Sequence, residues 1–374
     1  MSEHEARPRM DPERLRRARS YRKFSLVLDL AGTTLGIAVM VGLYLAGTSV
    51  DLRDTVAGAT ASHAVVIYVV VAAFTLVEWS VGLPTSYLSW RRGRREGLVV
   101  QSWGGAFVDQ LKRIVITLAL VDVPVTAWYL ILLRPEWALW TIAGAFAVSA
   151  LGTLLGPALA SLFFRFEPLA DATVAERVRA VAERAGARVS GVYRWGMGAK
   201  TTAANAAVIG VGPTKRIALG DTLLEHFPID EVESVVAHEV GHDVTGDPLR
   251  YVLAFGAAGA AALIVIRLIV DRLAAPVGGT ADPASYPLVA ATLSVLVVVG
   301  RPAVMAFTRW RESAADAFGA RHTSRDAMAR ALVRLADQNL ADPEPPRWEE
   351  IWSYSHPAIA NRVRKLGLRW QDVA

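Results

Sequence analysis

Six stretches of the chain are apolar almost throughout: residues 25–47, 64–84, 114–133, 137–164, 251–270 and 286–308. A helix needs about 20 such residues to cross roughly 30 Å of hydrocarbon, and each stretch is long enough. Between the fourth and fifth, residues 165–250 change character. Residues 175–185 have the spacing of an amphipathic helix ended by Gly186, and 189–195, 203–212 and 216–219 read as short strands punctuated by glycine and Pro213. The pattern predicts a mainly α protein, a transmembrane bundle of about six spans joined to an α+β domain with a small sheet. It divides into a basic segment at 1–24, a four-span region at 25–164, and a third region at 165–374 that includes the last two spans.

Composition agrees with a bilayer. Of 374 residues 53% are hydrophobic, and the mean hydropathy of +0.32 is high for an ordinary soluble protein. Five charged residues, Asp29, Glu78, Asp122, Arg267 and Arg301, fall in or near the apolar runs. Such groups face water or a bundle interior, or snorkel or pair near helix ends, because charge is costly in hydrocarbon. Neither internal repeats nor low-complexity segments are evident.

Charge then supplies an orientation. Arg14, Arg16, Arg17, Arg19, Arg22 and Lys23 precede the first span, and Arg91, Arg92, Arg94, Arg95, Lys112 and Arg113 fill the connection after the second. The first, third and fifth connections carry few positive charges or are short. By the positive-inside rule both termini and residues 165–250 face the cytoplasm. The net charge of +5 therefore reads as topology, with the bilayer as partner, and no basic-aromatic module argues for nucleic acid. The chain has no cysteine, which excludes disulfides and cysteine-based catalysis and suits a reducing compartment. Its first apolar run follows a long basic lead without a small-residue cleavage site and reads as an anchor. The Ala- and Arg-rich composition looks bacterial, which points to the inner (plasma) membrane. Nothing in the sequence fixes an oligomeric state.

Candidate chemistry centres on His238-Glu239-Val240-Gly241-His242. Histidines four apart project from one helix face and can ligate one ion. The glutamate between them lies beside that ion and can handle a proton of the water it activates. Asp230 with Glu233 three residues on has the form of a capping box, placing the helix start there, and Val232, Val235, Val236 and Val240 keep a helical period. A hydrolytic site needs a third protein ligand. The spacing HExxHxxGxxH would supply it nearby, but Thr245 and Pro248 occupy the required positions. Arg311-Glu312-Ser313-Ala314-Ala315-Asp316 offers two carboxylates four apart on one face: one can bind metal while the other orients a ligand histidine.

These segments together resemble the integral-membrane zinc metallopeptidases typified by CAAX prenyl protease 1, which include heat-shock-linked bacterial membrane proteases. The resemblance rests on Phe166-Glu167-Pro168-Leu169, Ala204-Asn205-Ala206, residues 216–224, HEVGH, ESAAD and Ser355-His356-Pro357, in that order, and on Arg94-Arg95-Glu96-Gly97-Leu98 before Asp109. It implies a zincin-like domain with one Zn²⁺ held by His238, His242 and Glu312, and Glu239 as catalytic base. It further implies Asp316 as the acid fixing a ligand histidine, and Asn205 and Ala206 as the edge that binds substrate backbone. His356 and Arg362 are implied to be catalytic residues near the metal that steady the substrate or the oxyanion. The chain shows six evident spans where the better-known eukaryotic members have seven.

The expected function is a membrane-embedded metalloendopeptidase acting on membrane-associated proteins or peptides, with C-terminal CAAX-type processing one option. Two imidazoles and a carboxylate also suit other divalent ions, zinc being the expected one. The competing expectations are a membrane scaffold or chaperone-like binder with a vestigial metal site, which the intact Glu239 argues against, and a transporter, for which paired broken helices are lacking.

Overall fold

The structure, a computed structural model, describes residues 11–373. The first ten residues of the basic segment and Ala374 lie outside the described residues. The chain forms α1 (Pro12–Leu45), α2 (Thr48–Ala59), α3 (His63–Arg95), α4 (Trp103–Leu120), α5 (Asp122–Ile131) and α6 (Trp137–Ser161). Next come β1 (Phe166–Pro168), α7 (Ala172–Arg184), β2 (Gly191–Trp195), β3 (Ala206–Ile209), β4 (Arg216–Gly220), α8 (Asp221–His226) and α9 (Ile229–Val244). The last part holds α10 (Asp247–Leu273), α11 (Tyr286–His322), α12 (Arg325–Gln338), α13 (Arg347–Ser353) and α14 (Ile359–Lys365), with a last turn of helix at Trp370–Val373.

Among the described residues six helical segments are long and apolar enough to span a bilayer: α1, α3, α4 with α5, α6, α10 and α11 with the turn before it. The third is broken at Val121, between α4 and α5. Leu139, Leu154, Leu249, Leu253, Val297 and Val299 on these helices are exposed, as an apolar surface facing lipid tails must be. Inside the bundle Ile67, Val70, Val71, Tyr129, Ile266 and Val270 are fully buried, each aliphatic side chain contributing about 1.5–3 kcal/mol if transferred from water. Four of the five charges within or near the spans are paired or hydrogen-bonded. Arg301 joins Asp29 at 2.7 Å across α11 and α1, Arg267 pairs with Asp271 at 3.4 Å and donates to the Leu132 carbonyl, and buried Asp122 accepts from Thr75 at 3.2 Å.

Two helices reach beyond their apolar runs. α1 begins thirteen residues before residue 25, and α11, at 37 residues, is about 55 Å long at 1.5 Å per residue. Its second half therefore stands clear of the hydrocarbon and enters the peptidase domain. α2 and α12 to α14 lack an apolar run and are additions to what periodicity showed.

The sheet has the order β1-β2-β4-β3, with β2 and β4 parallel and both outer pairs antiparallel. β1 was legible as a motif and not as a strand. β3 starts at 206 rather than 203, because Asn339 takes both backbone groups of Ala204 at 2.8 and 3.2 Å, outside the ladder. Val178 and Val181 of α7, Ile217 and Leu219 of β4, and Val232, Val236 and Val240 of α9 close one core. The expected cap of α9 is corrected. The helix starts at Ile229 after Pro228, so Asp230 lies in its first turn, where a carboxylate favours the helix dipole. Asp230 pairs with Arg330, and Glu233 with Arg177 at 2.7 Å.

Candidate metal centre and active-site cleft

α9 and the second half of α11 cross closely enough to bring two sequence-distant residue sets together. Gly319 permits this: a Cβ there would lie 3.1 Å from the backbone nitrogen of His238, tighter than packing allows without movement of a helix backbone. The crossing places Glu312 Oε2 3.3 Å from His238 Nε2 and Glu312 Oε1 3.4 Å from His242 Nε2. The two Nε2 atoms are 3.2 Å apart. All three ligand atoms lie within 4.8 Å of one another, and His238, His242 and Glu312 form the group able to hold an ion among the described residues.

The opposite nitrogen of each ring faces its own carboxylate, as an ion-pair contact at His238 and a hydrogen bond at His242. Asp316 Oδ1 stands 3.0 Å from His238 Nδ1, and Asp247 Oδ2 is 2.8 Å from His242 Nδ1. Carboxylates on the Nδ1 side turn both Nε2 atoms toward the shared point and raise the basicity of the rings. Glu312 Oε2 is buried with the Nε2 atoms of His238 and His356 each 3.3 Å away but without hydrogen-bond geometry to either, a costly condition for a carboxylate that a bound cation relieves. Two nitrogens and one carboxylate, converging with an orphaned buried oxygen, fit a divalent metal.

Asp247 was not singled out by sequence as a partner of the site. It follows Gly246, whose φ of +76° ends α9 and starts α10 in a tight turn. That turn points Asp247 back at His242 five residues earlier. Asp247 is itself fixed by buried Arg311 at 2.6 Å and by Arg250 at 3.3 Å. The register HExxHxxGxxH, which Thr245 and Pro248 break, applies to a third metal ligand, and Asp247 falls one position short of it. As a partner to Nδ1 it needs a different register.

The remaining site residues take distinct positions. Glu239 lines the cleft beside His238, and among the described residues its carboxylate makes no hydrogen bond or ion pair. Burial pushes its pKa above the ordinary carboxylate value, with the two neighbouring histidines pulling the other way. His356, half exposed, reaches within 3.3 Å of Glu312 Oε2. Arg362 is buried and spends both short bonds on Asp316, at 2.8 and 2.6 Å, with Glu312 at 3.9 Å. Asn205 stands exposed just before β3, while Ala206 is buried against the core and joins β4 opposite Leu219. A cleft of about 570 Å³ runs over these groups, walled by Ala203, Asn205, Leu332, Tyr354 and His356.

Residues 168–369, over half of the chain, match peptidase family M48, with this centre inside the matched stretch. The chain belongs to peptidase family M48. Residues 3–164 match the CAAX prenyl protease N-terminal region, described by its five membrane helices. In this M48 peptidase that region holds α1 to α6, with α4 and α5 forming one broken span. The uncharacterised metalloprotease YhfN of Bacillus subtilis is 26% identical over 373 residues, covering 95% of this chain and 86% of that one. Protease HtpX of Cellvibrio japonicus is 31% identical over 164 residues, covering 40% of this chain and 56% of its own length. The crystal structure of Ste24p from S. mikatae superposes with a TM-score of 0.84 at 19% identity, over 98% of this chain and 92% of that one. The fold is therefore that of Ste24p, and the protein is an integral membrane metalloprotease of a bacterial kind.

Proposed function

We propose that the chain is a zinc endopeptidase whose single metal is held by His238, His242 and Glu312, with its site in the cytoplasm. The observation that carries this reading is the convergence of three donor atoms within 4.8 Å next to a carboxylate with no other partner, that of Glu239. Zinc bound there would polarise the scissile carbonyl and lower the pKa of water to about 7. Glu239 takes a proton from the attacking water and delivers it to the leaving amine, so the carboxylate is regenerated each turnover. Asp316 and Asp247 hold the ligand rings. Arg362, bidentate on Asp316, keeps that carboxylate in place and adds positive charge near the metal. His356 stands at the cleft wall where it can share charge on the tetrahedral oxygen.

Substrate would lie extended across the cleft, its backbone paired along the outer edge of β3 near Asn205, since β4 occupies only the inner edge. Ala206 acts through its backbone, its side chain being buried. Peptides and membrane-protein segments suit such a mode. The likeness to Ste24p and to the CAAX prenyl protease region supports C-terminal processing as one substrate class, and nothing in the cleft selects a prenyl group.

Glu239→Gln tests the mechanism. Glutamine keeps the shape but cannot act as a base at neutral pH, so cleavage of a peptide library should fall by about 10²–10⁴-fold with zinc retained. A variant that cleaves as fast as the parent protein, with contaminating proteases excluded, ends the hydrolytic reading in favour of a binding protein.

A further inference from the structure

The arginines of the N-terminal segment do more than mark topology. The part of α1 that precedes the apolar run lies along the C-terminal part of the peptidase domain. Ala18 is fully buried there. Arg14 pairs with Asp337 at 2.7 Å, Arg19 with Asp342 at 3.1 Å and Arg22 with Glu349 at 3.1 Å. Pairs whose arginine still reaches solvent add little stability singly, so their common direction matters more than their strength.

Arg22 differs from the others in what it touches. Its second arm donates to the Ser353 carbonyl at 3.3 Å, and its guanidinium lies 4.9 Å from the centre of the Tyr354 ring. Two residues further on is His356, whose Nδ1 meets Ser355 Oγ at 2.8 Å and whose Nε2 meets Glu312 at 3.3 Å. The far end of this segment is held by Glu350, which accepts from the Ala358 amide at 2.9 Å. From α11, Arg309 binds the carbonyls of Glu350 and Tyr354 at 2.8 Å each. Tyr21 and Arg22 also line the cleft that holds His238 and Glu239.

We propose that Arg22, from the first membrane helix, is a positioning residue for His356, tying residues 353 and 354 so that the imidazole two residues on stands against Glu312. This rests on the reading of His356 given above. It makes the extramembrane start of α1 a part of the active site, and joins the membrane region to catalysis through one side chain. Lysine cannot replace it, because only the planar fork reaches the carboxylate and the carbonyl together.

The test is a double-mutant cycle on the full-length, membrane-extracted, zinc-loaded protein, with hydrogen exchange on the metal-free form. His356→Ala should lower kcat about 10²–10³-fold. Arg22→Ala should lower it on the order of 10- to 10²-fold, the effect of displacing a catalytic group by about 1 Å, and Glu349→Gln should act in the same direction without altering α1. Added to His356→Ala, Arg22→Ala should cost nothing further. Zinc affinity should be unchanged in Arg22→Ala, and the amides of 353–356 should exchange faster. Losses that add, full activity in both Arg22→Ala and Glu349→Gln, or unchanged exchange would overturn the assignment. Full activity in His356→Ala would instead remove the role of His356, and the proposal with it.

Discussion

Asp247 Oδ2 lies 2.8 Å from His242 Nδ1, although the two residues belong to different helices. The turn at Gly246 folds α10 back across the end of α9 and makes the contact. His242 is thus backed by a carboxylate as His238 is by Asp316, and the two rings turn their Nε2 atoms toward one point.

Asp247→Ala should weaken zinc binding by about 10–100-fold, the usual effect of removing a carboxylate behind a ligand histidine. Titration against a chromophoric chelator measures it. Unaltered affinity would mean that Arg311 and Asp247 serve the helix junction alone.

Glu312→Ala should weaken binding at least as much, since it removes a ligand and leaves two imidazoles. Chelator treatment of the parent protein should abolish cleavage, and added zinc should restore it in the parent but not in Glu312→Ala at equal concentration. Stoichiometric zinc in Glu312→Ala after chelator challenge would show that a different carboxylate ligates.

Gly319→Ala should destabilise the domain by about 1–3 kcal/mol, because the new methyl meets the helix backbone at His238 as well as the Met328 side chain, and only the latter can move aside. The melting temperature of the metal-free protein reads this directly, and zinc affinity should fall as α9 and α11 part. A variant as stable as the parent would show that the crossing has slack.

Reporter fusions should read cytoplasmic after Gly186 and at the C-terminus, and external near Gly278, between α10 and α11. The arginine clusters beside α1 and at the end of α3 dictate this sign. An external signal from the Gly186 fusion would invert the orientation and place the site outside.

The six spans were legible because hydrocarbon imposes both length and apolarity on a helix, and both are written locally. HEVGH was legible because a four-residue spacing on a helix already fixes a common face. Glu312 and Asp316 could be narrowed to a pair, but spacing alone did not say which faces the metal. The fold brings Glu312 to both Nε2 atoms and leaves Asp316 behind His238.

What lay beyond the sequence is the set of contacts between distant segments. The start of α9 was misplaced by local capping logic because Pro228 and the ion pairs of Asp230 and Glu233 to α12 and α7 decide that end of the helix. Asp247 was passed over because a turn of +76° at one glycine, invisible to periodicity, aims it at His242. Arginines read as a topological signal proved to pair with Asp337, Asp342 and Glu349, more than 320 residues away. The sequence by itself determined the membrane spans, the metal-binding helix and the chemistry it can support, since these depend on neighbours within a few turns. Tertiary structure alone decided the distant partners of charges such as Arg14, Arg19, Arg22 and Arg311, because such a side chain is satisfied by whatever group folding brings within about 3 Å, and no local rule names that group.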